Sequence, residues 1–114
     1  MRSAMMAVAT ALVGLVAACQ DSAVSREVGA RCDRSAECDE RCLTPADTYP
    51  GGFCTIACDS RGECPDHTTC AELEGGVCLF ACEVDRDCAF LGTDWTCQVA
   101  DLRGGGIKVM VCRG

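Results

Sequence analysis

The most reactive side chains of this chain are its thirteen cysteines, among 114 residues. Cysteines can bind metals, attack substrates or pair as disulfides, and their spacing indicates which chemistry applies. After Cys19 they form three sets of four, each opening with a C-x5-C spacing: Cys32, Cys38, Cys42 and Cys54; Cys58, Cys64, Cys70 and Cys78; Cys82, Cys88, Cys97 and Cys112. The C-x2-C pairs typical of zinc sites and redox-active dithiols do not occur. We therefore predict that these twelve cysteines form structural disulfides and that the chain holds no metal.

The sequence around the cysteines repeats along with them. Each C-x5-C loop is acidic at both ends with an Arg inside, and two joints share a Gly-Gly-x-Cys pattern, at Gly51–Cys54 and Gly75–Cys78. A period of about 25 residues indicates tandem copies of one small unit. We expect a cysteine-rich domain over 32–114 with repeats at 32–57, 58–81 and 82–114. The fold class predicted is small and disulfide-rich, with short β-hairpins and little regular secondary structure.

Within a unit, the third and fourth cysteines flank a Gly-rich turn, most clearly in the last copy. There the runs 95–100 and 107–112 are strand-like and surround a Gly-rich segment, which predicts a hairpin. If Cys97 lies opposite Cys112, then Asp101 falls opposite Lys108, a favourable cross-strand pair. Four cysteines allow three connectivities. We favour the crossed one, first with third and second with fourth, because it ties the loop to the hairpin.

The third unit is the longest and carries Phe90 and Trp95, two of the few aromatic residues of the chain. We expect these rings to supply a local core, with an exposed recognition patch as the alternative. A terminal repeat with its own core would fold partly independently of its neighbours.

The net charge and the remaining polar residues exclude several classes of function. The net charge is −7, and since Arg2 is the only charge before Cys19, the rest carries −8, which argues against binding to nucleic acid or anionic lipid. His67, the single histidine, has no serine and carboxylate at catalytic spacing, so we predict no catalytic residues, no cofactor and no enzyme. Glu83, Asp85 and Asp87 alternate and could bind calcium, but a solvated acidic loop is favoured because the EF-hand ligand pattern is missing.

Residues 1–18 read as an export signal, with Arg2 followed by an uncharged apolar stretch too short to span a bilayer. The stretch ends in Leu15-Val16-Ala17-Ala18-Cys19, which resembles the bacterial lipobox. The resemblance implies a diacylglyceryl group on the Cys19 thiol and cleavage before it. Ordinary signal peptidase could also cut after Ala18, but lipidation of Cys19 leaves an even number of cysteines for disulfides. Residues 19–31 are then a lipidated Cys and a short tether.

The lipobox, the C-x5-C units and the Gly-Gly joints together resemble the cysteine-rich repeat lipoproteins of myxobacteria. The resemblance implies a protein held at the cell membrane or outer membrane by fatty acyl chains such as palmitate, facing away from the cytoplasm. Gln20, rather than an acidic residue, follows the lipidated position, which by resemblance favours the outer membrane. We expect a non-catalytic binding or structural module of the cell envelope, with a protein or glycan ligand that the sequence does not identify. The alternative is an enzyme inhibitor acting through the loop from Leu43 to Pro50.

Overall fold

The computed structural model describes residues 23–114. The predicted signal at 1–18 and the predicted lipidation site Cys19 lie outside these residues. Six short strands are present in the described part: β1 Arg41–Leu43, β2 Phe53–Thr55, β3 Thr68–Ala71, β4 Val77–Phe80, β5 Thr96–Asp101 and β6 Lys108–Arg113. Three 3₁₀ segments precede the hairpins: Ser35–Glu37, Arg61–Glu63 and Asp85–Leu91. None of the described helices has the length and hydropathy needed to cross a membrane.

Each unit is a C-x5-C loop with its 3₁₀ segment, followed by a two-stranded antiparallel hairpin. The strands pair as β1–β2, β3–β4 and β5–β6. In each hairpin the third and fourth cysteines are directly opposite: Cys42 and Cys54, Cys70 and Cys78, Cys97 and Cys112. The predicted fold class, small and disulfide-rich with short hairpins, is confirmed.

The third hairpin has the register that the sequence predicts. Asp101 pairs with Lys108, and the Lys108 Nζ atom lies 2.5 Å from Asp101 Oδ1. Both side chains are more than half exposed, so this ion pair adds little to stability. The turn between the strands is possible because Gly104 and Gly106 adopt positive φ angles of 73° and 69°, which residues with a Cβ rarely adopt.

One hydrophobic core is shared by all three units. Its central side chain is Phe53 of the first unit, which has no exposed surface. The ring centroid of Phe53 lies 6.0 Å from that of Phe80 in the second unit and 5.4 Å from that of Trp95 in the third. The expectation that the third unit has its own core is therefore wrong for Trp95. Its largest apolar side chain is buried against another unit.

Backbone and side-chain hydrogen bonds also join the units. The buried Thr55 hydroxyl of β2 donates to the Cys78 carbonyl of β4 at 2.6 Å. Isolated β-bridges connect Ala71 with Leu102 and Ala81 with Val111, so the second and third units are paired at two places. A buried hydroxyl needs such a partner to offset its lost hydration. The three units thus form one folded structure rather than three independent domains.

Ordered packing begins before the first cysteine of the repeats. Val28 is only 2 % exposed and belongs to the shared core. The Gly29 amide donates to the Cys54 carbonyl, and the Cys54 amide donates to the Ala30 carbonyl, both at 2.8 Å. Residues 28–30, at the end of the segment 19–31 predicted as a tether, are thus packed against the first unit.

Candidate functional site on the third unit

The six disulfides give the domain its rigidity. They join the first cysteine of each unit to the third and the second to the fourth: Cys32–Cys42 and Cys38–Cys54; Cys58–Cys70 and Cys64–Cys78; Cys82–Cys97 and Cys88–Cys112. The crossed connectivity favoured from the sequence is confirmed. In each unit one bridge fixes the start of the C-x5-C loop to the hairpin and the other fixes its end. The loops are therefore held in place on the hairpins.

The crossing brings sulfur atoms close together. In each unit three Sγ atoms lie within 4.8 Å of one another, as in Cys82, Cys88 and Cys112. Metal binding by cysteine requires a thiolate, and each of these atoms is bonded to a second sulfur instead. Within residues 23–114, the sulfur clusters are a consequence of the bridges and offer no thiolate ligand in this oxidised state.

The acidic residue at the end of each C-x5-C loop holds the loop closed. A Glu37 carboxylate oxygen accepts hydrogen bonds from the amides of Asp33 at 2.6 Å and Arg34 at 3.4 Å. In the third unit an Asp87 oxygen accepts from the amides of Glu83 and Val84 at 2.9 and 3.1 Å. The second unit repeats the arrangement with Glu63.

These hydrogen bonds favour the charged carboxylates. The hydrogen bond from the Asp33 amide is the main cause that lowers the pKa of Glu37, and that from the Glu83 amide does the same for Asp87. Asp85 is also engaged, since its Oδ1 accepts from the Cys97 amide at 2.9 Å. Two of the three carboxylates considered as calcium ligands thus have backbone partners within the fold.

His67 and the loop from Leu43 to Pro50 were the other candidates from the sequence. His67 is exposed, has a φ of 71°, and uses its backbone carbonyl to accept from the Ala81 amide. In the loop, Leu43 and Tyr49 are buried, and mutual backbone hydrogen bonds between Ala46 and Tyr49 close a tight turn. The loop therefore presents a turn rather than the extended segment that a strand-like inhibitor would offer.

Large apolar side chains that remain exposed are concentrated in the third unit. Among the described residues, every such side chain lies there: Val84, Phe90, Val99, Ile107 and Met110, between 38 and 55 % exposed. Trp95, by contrast, is 4 % exposed. Trp95 is buried as predicted, although in the core that all three units share, whereas the ring of Phe90 is only half buried. Its ring rests edge-on against Phe80 with the other side open.

Val99 and Met110 are opposite each other in the third hairpin and line an open groove. The groove has a volume of about 530 Å³ and runs between the hairpin and the start of the C-x5-C loop. Its polar rim includes Lys108, Glu83 and Asp87. Grooves of this volume accommodate small molecules or a few side chains of a partner. The chemistry offered is apolar contact in the middle and charges of both signs at the rim.

Met110 occupies a position at which the other units have glycine. Gly52 and Gly76 stand two residues before the last cysteine of their units, and a Cβ at either would lie 1.8 or 2.4 Å from the carbonyl oxygen of Cys32 or Cys58. In the third unit the Met110 carbonyl accepts from the Cys82 amide at 3.1 Å, just as the Gly76 carbonyl accepts from the Cys58 amide at 3.0 Å. The backbone conformation differs, because Gly52 and Gly76 adopt positive φ angles of 83° and 104° and Met110 does not, and a long apolar side chain takes the place of a buried glycine. Aligning the repeats could have revealed this difference, as could the exposed strand positions of Val99 and Met110.

No protein-family model, curated protein or solved structure matches this chain.

Proposed function

We propose that the chain is a lipoprotein anchored through Cys19, with its domain outside the cytoplasm acting as a non-catalytic binding module of the cell envelope. The binding face is the groove formed by Val99, Met110 and the rim of the third unit. A disulfide-stapled scaffold that holds its loops rigidly loses little conformational freedom on binding.

The pairing of the cysteines carries the anchoring part of the proposal. The chain has thirteen cysteines, and the six bridges use all twelve that follow Cys19. Cys19 has no cysteine left to pair with in the same chain, and it stands at the end of the Val16-Ala17-Ala18 motif. Both observations fit a thiol that is reserved for acylation. Structural disulfides also persist mainly in oxidising compartments.

The distribution of exposed apolar residues supports the binding part. Monomeric proteins rarely expose apolar side chains together without a function for them. Here they are all in one unit of the described domain, and two of them face the groove.

Metabolic labelling with an alkyne fatty acid tests the anchor. Wild-type protein should incorporate the label and sediment with membranes, whereas Cys19→Ala should do neither, because the thiol is the acyl acceptor. Gln20→Ala is the matched control and should behave like the wild type. Label on the Cys19→Ala protein would contradict the proposed anchor.

Photo-cross-linking in intact cells tests the binding face. A photoreactive amino acid at Val99 should yield discrete cross-linked species, because this side chain lies in the groove. The same amino acid at Thr48, an exposed residue of the first unit, serves as the control. Identical cross-linking from both positions would contradict a specific face on the third unit.

A further inference from the structure

The chain enters the described domain beside two phenylalanine rings. A Cβ at Gly29 would lie 2.9 Å from the Phe80 ring and 3.3 Å from Cα of Val24, so Val24 and Phe80 are neighbours. The Phe80 ring meets the Phe90 ring edge to face, with centroids 5.0 Å apart. Phe80 is buried, but Phe90 is 50 % exposed. Phe90 is therefore the exposed member of an aromatic pair at the entry point.

The anchor cannot be far from this point. Only five residue steps separate Cys19 from Val24, and a fully extended chain spans at most about 3.6 Å per residue, or about 18 Å in all. Since Val28 and Gly29 are fixed to the first unit, the domain cannot gain reach by releasing more tether without unpairing β2. The surface around Val24 must then lie close to the lipid headgroups.

The 3₁₀ segment that carries Phe90 presents two apolar side chains to solvent on one line. In a 3₁₀ helix, residues three apart lie above one another. Cys88 and Leu91 form the buried line, while Val84, just before the segment, aligns with Asp87 and Phe90. Val84 and Phe90 are each about half exposed, at 51 and 50 %. Between them, the Asp87 carboxylate folds back onto the Glu83 and Val84 amides.

A cation stands beside this line. Arg86 is exposed, and it makes no ion pair with any residue in 23–114. A guanidinium binds phosphate oxygens well. The edge of the domain next to the entry point thus combines two apolar side chains with one exposed guanidinium, which stands among the exposed carboxylates of Glu83, Asp85 and Asp87.

We infer that Phe90 and Val84 insert into the interface of the phospholipid bilayer that holds the Cys19 anchor, with Arg86 at the level of the lipid phosphates. This inference rests on the proposed anchoring at Cys19. Apolar side chains of peripheral proteins bury about 5–10 Å into the boundary between headgroups and acyl chains. Insertion would fix the orientation of the domain and place the Glu83 and Asp87 rim of the groove at the membrane surface.

The lipid surface expected is zwitterionic. The chain carries a net charge of −7, so an anionic surface would repel the domain as a whole. Insertion is driven by the apolar side chains and the nearby anchor, which raises their effective concentration at the membrane.

Tryptophan fluorescence in vesicles of phosphatidylcholine tests the inference. The acylated protein and the variants Phe90→Trp and Ile107→Trp are reconstituted in vesicles with and without brominated phosphatidylcholine, which quenches tryptophan near acyl chains. Trp95, the single native tryptophan, gives the background because it is buried. Ile107 is the matched control, because it is as exposed as Phe90 but lies at the closed end of the third hairpin. Ala81, next to Phe80, bridges to Val111, which lies three ladder pairs, about 10 Å, from the Asp101–Lys108 pair at that end.

The expected result is quenching of the Phe90→Trp signal about twofold or more above that of Ile107→Trp, since only the former lies among the lipids. Equal quenching of the two variants would overturn the inference. So would a blue-shifted Phe90→Trp emission that appears without vesicles and depends on protein concentration, which would indicate that a second copy covers the ring.

Intact mass of the same samples separates this result from the anchor. If Cys19 carries no acyl group, the proposed anchor fails. The variants are then coupled through the Cys19 thiol to a maleimide lipid in the same vesicles, and the quenching comparison decides the inference by itself.

Discussion

At the scale of single residues, the acidic ends of the C-x5-C loops have a structural function that the sequence reveals only in part. The repeat shows that an acid precedes the second cysteine in every unit, and in the third unit the sequence favours a solvated acidic loop. The structure shows Glu37 and Asp87 accepting two backbone amides each. The acidic residue follows its amide donor by four residues, so the sequence shows this spacing. The direction in which the carboxylate points, however, depends on the 3₁₀ turn between the two residues.

Replacing Glu37 tests this function. Because the pKa of Glu37 is lowered below its ordinary value of 4.5, the folded state binds its proton less tightly than the unfolded state. Its stabilisation is therefore complete above about pH 4.5 and is lost as the pH falls through the lower pKa of the folded state. We expect Glu37→Gln to lower the melting temperature at pH 7 by a few degrees, with the difference from wild type shrinking at pH 3.

Asp33→Asn is the matched control, because Asp33 contributes only its backbone amide to this contact. It should leave the melting temperature at pH 7 nearly unchanged. A Glu37→Gln effect that is equally large at pH 3 and pH 7 would show that the charge is not what holds the loop. Circular dichroism during thermal unfolding is the measurement.

At the scale of elements, hairpins and disulfides could be predicted, whereas the entry segment could not. The Gly-rich run after Asp101 and the cysteine spacing were enough to give the register of β5 and β6. The pairing of Gly29 and Ala30 with Cys54 escaped prediction because residues 20–31 are mostly polar, and Val24 and Val28 are their only large apolar side chains. A contact across more than twenty residues leaves no periodicity in so short a segment.

At the scale of the whole molecule, the units are too small to bury their own side chains. Phe53, Phe80 and Trp95 come from three different units and form one cluster. The sequence indicated three repeats, and apolar content suggested that the last could stand alone. The packing of an aromatic ring of one unit against another unit depends on how the repeats stack. A single sequence does not contain that information. The result is a domain whose repeats share their core.

Truncating the central ring tests the shared core. Phe53→Ala should destabilise the domain by about 3–5 kcal/mol, as expected for a fully buried phenylalanine. It should also broaden amide signals in all three units, because Phe53 contacts the other two. Phe90→Ala is the control and should cost less than about 1 kcal/mol, since its ring is half exposed. Denaturant unfolding with the disulfides intact, together with NMR, makes the comparison. Spectral changes confined to the first unit would contradict a shared core.

The central claim is that twelve cysteines staple one domain while Cys19 alone is left for the anchor. Intact mass spectrometry of protein isolated from membranes tests it directly, by denaturing alkylation with and without reductant. We predict no alkyl group before reduction, twelve after it, and the mass of a diacylglyceryl group on the Cys19 peptide. A thirteenth alkylated cysteine without an acyl group, or any thiol of the domain labelled before reduction, would contradict the account.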